Sequence, residues 1–262
     1  HIYKRNGYYY LLIAEGGTSL NHAVMVAVSD NIKGPYVPND RNPILTSRHV
    51  SYGHWVNSIG HGDLIELEDG RWYMVTLGIR SEIDTYSNMG RETHLIPVTW
   101  EKEPFEWQYD KIEKEWSVLP DGKRFEKLRR VNYEWPVCSP ITGRVERSYP
   151  LPFPNSPQIN EQTFRDDFDS ETLNLSWNFR RVPQKGTYSI NNNDGYLRLF
   201  SSQNVIENRK GCSLLGIRQK KTDFEFSVKM LYNPIMQGGQ AGISLFQKDN
   251  NYFTFTVEKN RE

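Results

Sequence analysis

The chain has 262 residues, 37% hydrophobic and 24% charged, enough to bury one large or two ordinary cores, so a disordered polypeptide is excluded. Thirty-two Lys and Arg balance 32 Asp and Glu, which leaves no net field for a nucleic-acid backbone and no basic tract for a membrane surface. A mean hydropathy of -0.69, with no apolar run of the roughly 18 residues a spanning helix needs, predicts a soluble chain.

Cys138 and Cys212 fit no metal or redox spacing. The 15 Tyr, 12 Phe and 7 Trp, set among 19 Gly and 14 Pro, favour strands joined by turns. Flat aromatic faces either fill such a core or stack on sugar rings.

In chain order, His1 to Ile13 reads as a strand, an Asn6-Gly7 turn and a second strand. No initiator Met or signal peptide precedes them, and the alternating strand Tyr252 to Glu258 stops almost at the last residue, where a sheet would keep an unpaired edge. An interior piece of a longer protein is therefore expected. Further strands are predicted over 8–14 and 23–29, followed by the turn Gly34-Pro35-Tyr36. A second unit runs over 63–67, the turn Glu68-Asp69-Gly70 and 71–77, and a third over 94–100, 105–107 and 135–137. Hairpin after hairpin suits the antiparallel four-stranded blades of a propeller. At roughly 40–45 residues a blade, residues 1–149 hold about three, fewer than a closed ring requires.

The alternating prolines from Pro150 to Pro157 predict an extended linker over 150–163. Beyond it, 164–262 has short strands over 196–200, 224–228 and 241–246, which suggest a β-sandwich. All six His lie at or before His94, and no titratable cluster is visible after the linker, so chemistry is expected in the first part.

Within that part the densest polar constellation is Gly60-His61-Gly62-Asp63, read as entering a strand. Flanking glycines permit close backbone approach, so the imidazole could face a funnel or a metal, or be satisfied by its own loop. In Gly90-Arg91-Glu92-Thr93 the planar guanidinium could hold two sugar hydroxyls, orient a carboxylate or serve the surface. Asp30, Asp40, Asp63, Asp84 and Glu92 are all possible acids or bases, and spacing does not choose among them. No phosphate loop, zinc helix or serine elbow occurs, which leaves hydrolysis without a cofactor open.

Taken together, His1-Ile2-Tyr3-Lys4, Gly7 to Leu11, Gly60 to Glu66, Trp72 to Val75, Leu77 to Arg80 and Gly90 to Thr93 resemble glycoside hydrolase family 43, in its β-xylosidase and α-L-arabinofuranosidase branches. Asp166 to Asp169, Trp177 to Phe179, Gly195 to Leu199 and Ala241 to Ile243 are similar to the concanavalin A-like sandwich that follows the catalytic domain there. The resemblance implies an all-β protein: a five-bladed propeller, about three blades of it present, then a sandwich, possibly truncated. It also implies exo-acting, inverting hydrolysis that releases xylose or arabinose from plant polysaccharides or oligosaccharides.

The family's general acid lies in a Glu-Gly-Pro-His stretch, and this chain starts at the position of that histidine, so the catalytic carboxylates are expected before His1. What carries over is His1 beside the acid, His61 near the funnel floor and Arg91 on the sugar. In some members the floor histidine helps hold calcium through waters, making His61 a candidate metal neighbour; no cofactor is otherwise required. The implied partner is a xylo- or arabino-oligosaccharide, with no nucleic acid or membrane, and the implied location is periplasmic or secreted rather than cytoplasmic. The alternative from another class is a non-catalytic carbohydrate-binding protein.

Overall fold

The computed structural model describes residues 1–51, 53–82, 86–102, 112–118, 122, 124–130, 133–157, 163–191, 195–234 and 236–259. Asp84 and the expected strand at 105–107 lie outside them. Every regular element among the described residues is a β-strand, and no helix there is long and apolar enough to cross a membrane. The chain divides into two compact units, His1–Asn155 and Ser156–Glu262.

In the first unit, β1 (Ile2–Arg5) and β2 (Tyr8–Glu15) form an antiparallel hairpin in the register Arg5↔Tyr8. Its two turn residues, Asn6 and Gly7, have φ of 48° and 84°, the positive pair that matches the twist of a tight hairpin. Next comes β3 (Ala23–Ser29), which pairs with β2 along its whole length and on its other side with the short β4 (Val37–Pro38) and β5 (Leu45–Thr46). A second sheet holds β6 (Val56–Glu66), β7 (Trp72–Arg80) and β8 (Arg91–Lys102). The hairpin of β9 (Ile112–Val118) and β10 (Arg124–Arg130) follows, and β11 (Glu134–Cys138) then returns to pair with β8.

Beside the separate β9–β10 hairpin, two larger sheets are therefore described where three hairpin units were expected. His94 to Trp100 and Trp135 to Val137 do not found a third sheet; they are β8 and β11, the outer half of the second. The sequence repeats hairpins, but periodicity carries no information about which sheet a strand joins.

Both sheets pack into one core. Tyr10, Leu12, Val24, Val26, Val28 and Leu45 from the first meet Val56, Ile59, Leu64, Met74, Ile96, Val98 and Trp135 from the second. Burying a side chain of this size contributes roughly 1.5–3 kcal/mol, so these strands hold the sheets together. The aromatic residues largely serve the same seam: the Tyr10 ring stands edge-on to Trp100 at 4.8 Å, and Trp72 to Trp100 at 5.2 Å. Arg5 lies 4.7 Å over Trp100 and pairs with Glu134 at 3.1 Å.

The second unit contains β12 (Trp177–Phe179), β13 (Tyr188–Asn191), β14 (Tyr196–Leu199), β15 (Leu215–Ile217), β16 (Gln240–Lys248) and β17 (Asn251–Glu258). They form three two-stranded antiparallel sheets, β12 with β15, β13 with β14 and β16 with β17. Asp166 organises the start of this unit: its carboxylate accepts from the Phe168 N–H at 2.9 Å and the Trp177 indole at 2.7 Å, while the two rings stack at 5.7 Å. In β16 and β17 the register puts Ile243, Leu245, Phe253, Phe255 and Val257 on one face, and Phe255 is 83% exposed.

Two expectations fail in this unit. Residues 224–228 pair with no strand among those described. A titratable cluster does exist: Arg180, its side chain 4% exposed, pairs with Asp249, which Arg209 also approaches at 3.5 Å, and its Nη1 lies 3.5 Å from the Cys212 sulfur. Residues 69 positions apart form that pair, so sequence proximity cannot announce it.

Candidate active site

The Gly60-His61-Gly62 stretch lies inside β6, not at its start. The β6–β7 register slips between Asn57 and Gly60 and again between Gly60 and Asp63. Each slip contains a non-glycine residue at positive φ, Ser58 at 56° and His61 at 57°. Such bulges add residues to one strand and re-aim side chains, breaking the alternation that sequence reading relies on. Holding His61 left-handed costs of order 1–3 kcal/mol, which the surrounding packing must offset.

That packing explains both glycines. A Cβ on Gly60 would stand 2.4–2.6 Å from three atoms of the His22 ring, and one on Gly62 would stand 2.6 Å from Met74 Sδ. Backbone and side chain thus approach as closely as the glycines suggest, but they meet the core. His22, which sequence reasoning missed, is buried and donates through Nδ1 to the Ser58 carbonyl at 3.1 Å, fixing the first bulge. Thr76 Oγ1 donates to the Gly60 carbonyl at 2.6 Å, and Asn57 Nδ2 to Ser81 Oγ at 2.7 Å.

The His61 side chain is exposed, and among the described residues it has no hydrogen-bond or ion-pair partner. The same holds for Arg91, the first residue of β8. Ile79 of β7 pairs with Asn57 on one side and Arg91 on the other, and Leu77 pairs with Gly60 and Thr93. Arg91 therefore stands two strand spacings, roughly 10 Å, across the sheet from β6 at the level of Asn57, while His61 lies further along, between the levels of Thr93 and Leu95. His1 arrives from the other sheet: its Nδ1 lies 3.7 Å from Asp63 Oδ1, and its ring stacks on Tyr3 at 6.3 Å. The Tyr3 hydroxyl donates to Asp63 and accepts from the Leu64 N–H at 2.9 Å. Burial raises the Tyr3 pKa, and the hydrogen bond to Asp63 raises it further.

The fold thus gathers His1, Tyr3 and Asp63 two residues beyond His61. Two candidate carboxylates are occupied, Asp63 by Tyr3 and Glu92 by a two-pronged pair with Arg80. Asp30 and Asp40 are exposed outside this sheet, after β3 and between β4 and β5. Among the described residues no three His, Cys, Asp or Glu side chains converge as metal ligands. Calcium favours several oxygen donors, so these residues alone do not build a site for it around His61.

His94, which follows Glu92 on the same face of β8, carries a buried Nε2 with no hydrogen-bond partner among the described residues and meets Trp55 edge-on at 6.1 Å. Burial pushes this imidazole below its ordinary value; Glu92 opposes the shift and Arg80 adds to it. The unfolded chain then takes up the His94 proton near the ordinary pKa of about 6.5, while the folded chain does so only at lower pH. Stability from this group is full above about pH 6.5 and falls as pH drops from there toward the lowered folded value. His94→Leu should flatten the stability profile in that window, as urea unfolding at stepped pH would show. Parallel curves for parent and variant would count against it.

Residues 1–105 match the description Glycosyl hydrolases family 43, and 165–262 match the beta xylosidase C-terminal Concanavalin A-like domain. A non-reducing end alpha-L-arabinofuranosidase of Bacteroides ovatus is 33% identical over 257 residues, covering 98% of this chain and 42% of that protein. A xylosidase/arabinosidase of Butyrivibrio fibrisolvens is 33% identical over 264 residues, covering 100% of this chain and 45% of its own length. The crystal structure of the family 43 protein BlXynB from Bacillus licheniformis is similar at a TM-score of 0.72 and 30% identity, over 99% of this chain and 44% of that one. The chain spans less than half the length of these relatives. Matched along nearly its whole length, first by the hydrolase and then by the domain that follows it, the chain belongs to glycoside hydrolase family 43.

Proposed function

We propose that the complete protein is an exo-acting glycoside hydrolase that releases xylose or arabinose from plant polysaccharides or oligosaccharides. The observation that carries this reading is the pair of exposed side chains, His61 and Arg91, without partners among the described residues, on one sheet of a chain whose relatives are named as xylosidases and arabinofuranosidases. A planar guanidinium with free N–H groups suits two adjacent sugar hydroxyls, and an imidazole held in a bulge suits the floor of a small pocket. In this reading the sheets of the first unit belong to a five-bladed propeller, and the second unit to a sandwich that follows it in the chain.

The reaction is read as inverting. One carboxylic acid protonates the leaving oxygen while a carboxylate on the opposite face activates water, the two standing roughly 6.5–9.5 Å apart. As the family resemblance implies, the acid and base are assigned to the part of the complete protein before His1, and Asp63 and Glu92, paired with Tyr3 and Arg80, are read as neither. His1 is placed beside the acid. The 262-residue chain alone is accordingly read as carbohydrate-binding without hydrolysis, and the reading requires no cofactor.

Aryl β-D-xylopyranosides and α-L-arabinofuranosides test this directly. The complete protein should hydrolyse at least one, with proton NMR showing the inverted anomer first, and the 262-residue chain should hydrolyse neither. A retained anomer would overturn the mechanism. Turnover by the short chain would overturn the assignment of the carboxylates elsewhere.

A further inference from the structure

We propose that Glu92, clamped by Arg80, is a positioning residue that aims Arg91, and that without this clamp the sugar-contacting guanidinium loses its direction. The proposal rests on the reading of Arg91 as a sugar ligand. Arg91 opens β8 directly after Gly90, whose φ is 71°, and at this end the strand pairs with β7 alone, since β11 joins it only from Val98 onward. Pairing places Ile79 opposite Arg91 and Gly78 opposite Glu92, which sets the two adjacent side chains on opposite faces of the sheet. Whatever fixes Glu92 behind the sheet therefore fixes the roll of β8 and the direction of Arg91 in front.

The clamp has the geometry for that task. Arg80 Nε reaches Glu92 Oε2 at 3.1 Å and Arg80 Nη2 reaches Oε1 at 3.1 Å, two parallel bonds from one planar group to another. Such a fork restrains orientation as well as distance, which a single contact does not. Glu82 is a weaker claimant for the same guanidinium, at 3.9 Å from Nη1. Arg80 and Glu92 are 35% and 27% exposed, sheltered enough for the pair to hold a geometry. Arg80 is itself the last residue of β7, and its register partner Val56 is the first of β6. The clamp thus ties the start of β8 to the two strands that frame His61. Opposite Glu92 the sheet is tightly filled: a Cβ on Gly78 would stand 2.3 Å from Ile59 Cδ1 and 2.9 Å from the His94 ring.

The test is a double-mutant cycle in the complete protein, read as kcat and KM on an aryl pentoside, with thermal unfolding of each variant. Glu92→Ala should lower kcat/KM by about tenfold in the parent but by less than about twofold once Arg91 is alanine, because a residue acting through Arg91 has nothing left to aim. Glu92→Gln, which keeps the planar shape and one acceptor, should recover part of the loss, and it carries the cycle if Glu92→Ala does not fold. Additive losses would make Glu92 merely structural and overturn the proposal, as would unchanged kinetics for both Glu92 variants. If Arg91→Ala alone leaves the kinetics unchanged, the reading of Arg91 falls and this inference with it. If Arg91→Ala is impaired while the Glu92 losses are additive or absent, only the positioning role is lost.

Discussion

Arg91→Ala in the complete protein is expected to lower kcat/KM by about 30-fold to nearly 1,000-fold. The range follows from losing charged hydrogen bonds to the sugar that strengthen as the glycosidic bond breaks, about 2–4 kcal/mol in all. The guanidinium stands at the first position of β8 and makes no bond to the described protein, so its removal leaves no buried group unpaired. Stability should accordingly change little, within about 0.5 kcal/mol. Arg91→Lys keeps a positive group but not the fork, and should recover only a small part of the rate. Steady-state kinetics on aryl xylosides and arabinofuranosides, beside a thermal melt, read both quantities, and parent-like kinetics for Arg91→Ala would remove Arg91 from the site.

Gly60→Ala should have the opposite profile, with a large effect on folding from a change of one methyl. The new Cβ would meet three ring atoms of His22 at 2.4–2.6 Å, and His22 cannot swing away without giving up the Ser58 carbonyl. Forcing an atom into so tight a site costs about 3 kcal/mol, which corresponds to a fall of about 6–12 °C in melting temperature for a domain of this size. His22→Ala should also destabilise, yet the double variant should be less destabilised than the sum of the two, since the clash vanishes with the ring. Calorimetry of the four proteins gives the coupling, and a Gly60→Ala melt within a degree or two of the parent would mean that the packing around β6 is looser than its distances imply.

What the sequence discloses is mostly what is local. The Asn6-Gly7 hairpin and the strands expected at 8–14 and 23–29 depend on residues close together in the chain, and they appear where patterning places them. The residues of the candidate site were visible as types, but their arrangement was not. Tyr3 and Asp63 are 60 positions apart, and no local signal says that one hydroxyl will bridge them. The two bulges in β6 turn what looks like a loop before a strand into the strand itself, because a residue at positive φ interrupts alternation without ending the ladder. Glu92 reads as a possible acid or base, but Arg80, twelve positions earlier, holds it in a two-pronged pair across the ladder. His22 read as nothing at all, since a buried histidine looks like any other polar residue until its acceptor is known.

The contact between His22 and Gly60 also constrains how this chain can change over time. A side chain at position 60 is admitted only after position 22 has become smaller, yet shrinking position 22 first opens a hole and leaves the Ser58 carbonyl unpaired. Either single step descends into a valley of lower fitness, and only the pair climbs out. Drift across this seam is therefore ratcheted: the strand that carries His61 can change at this contact only by paired exchange.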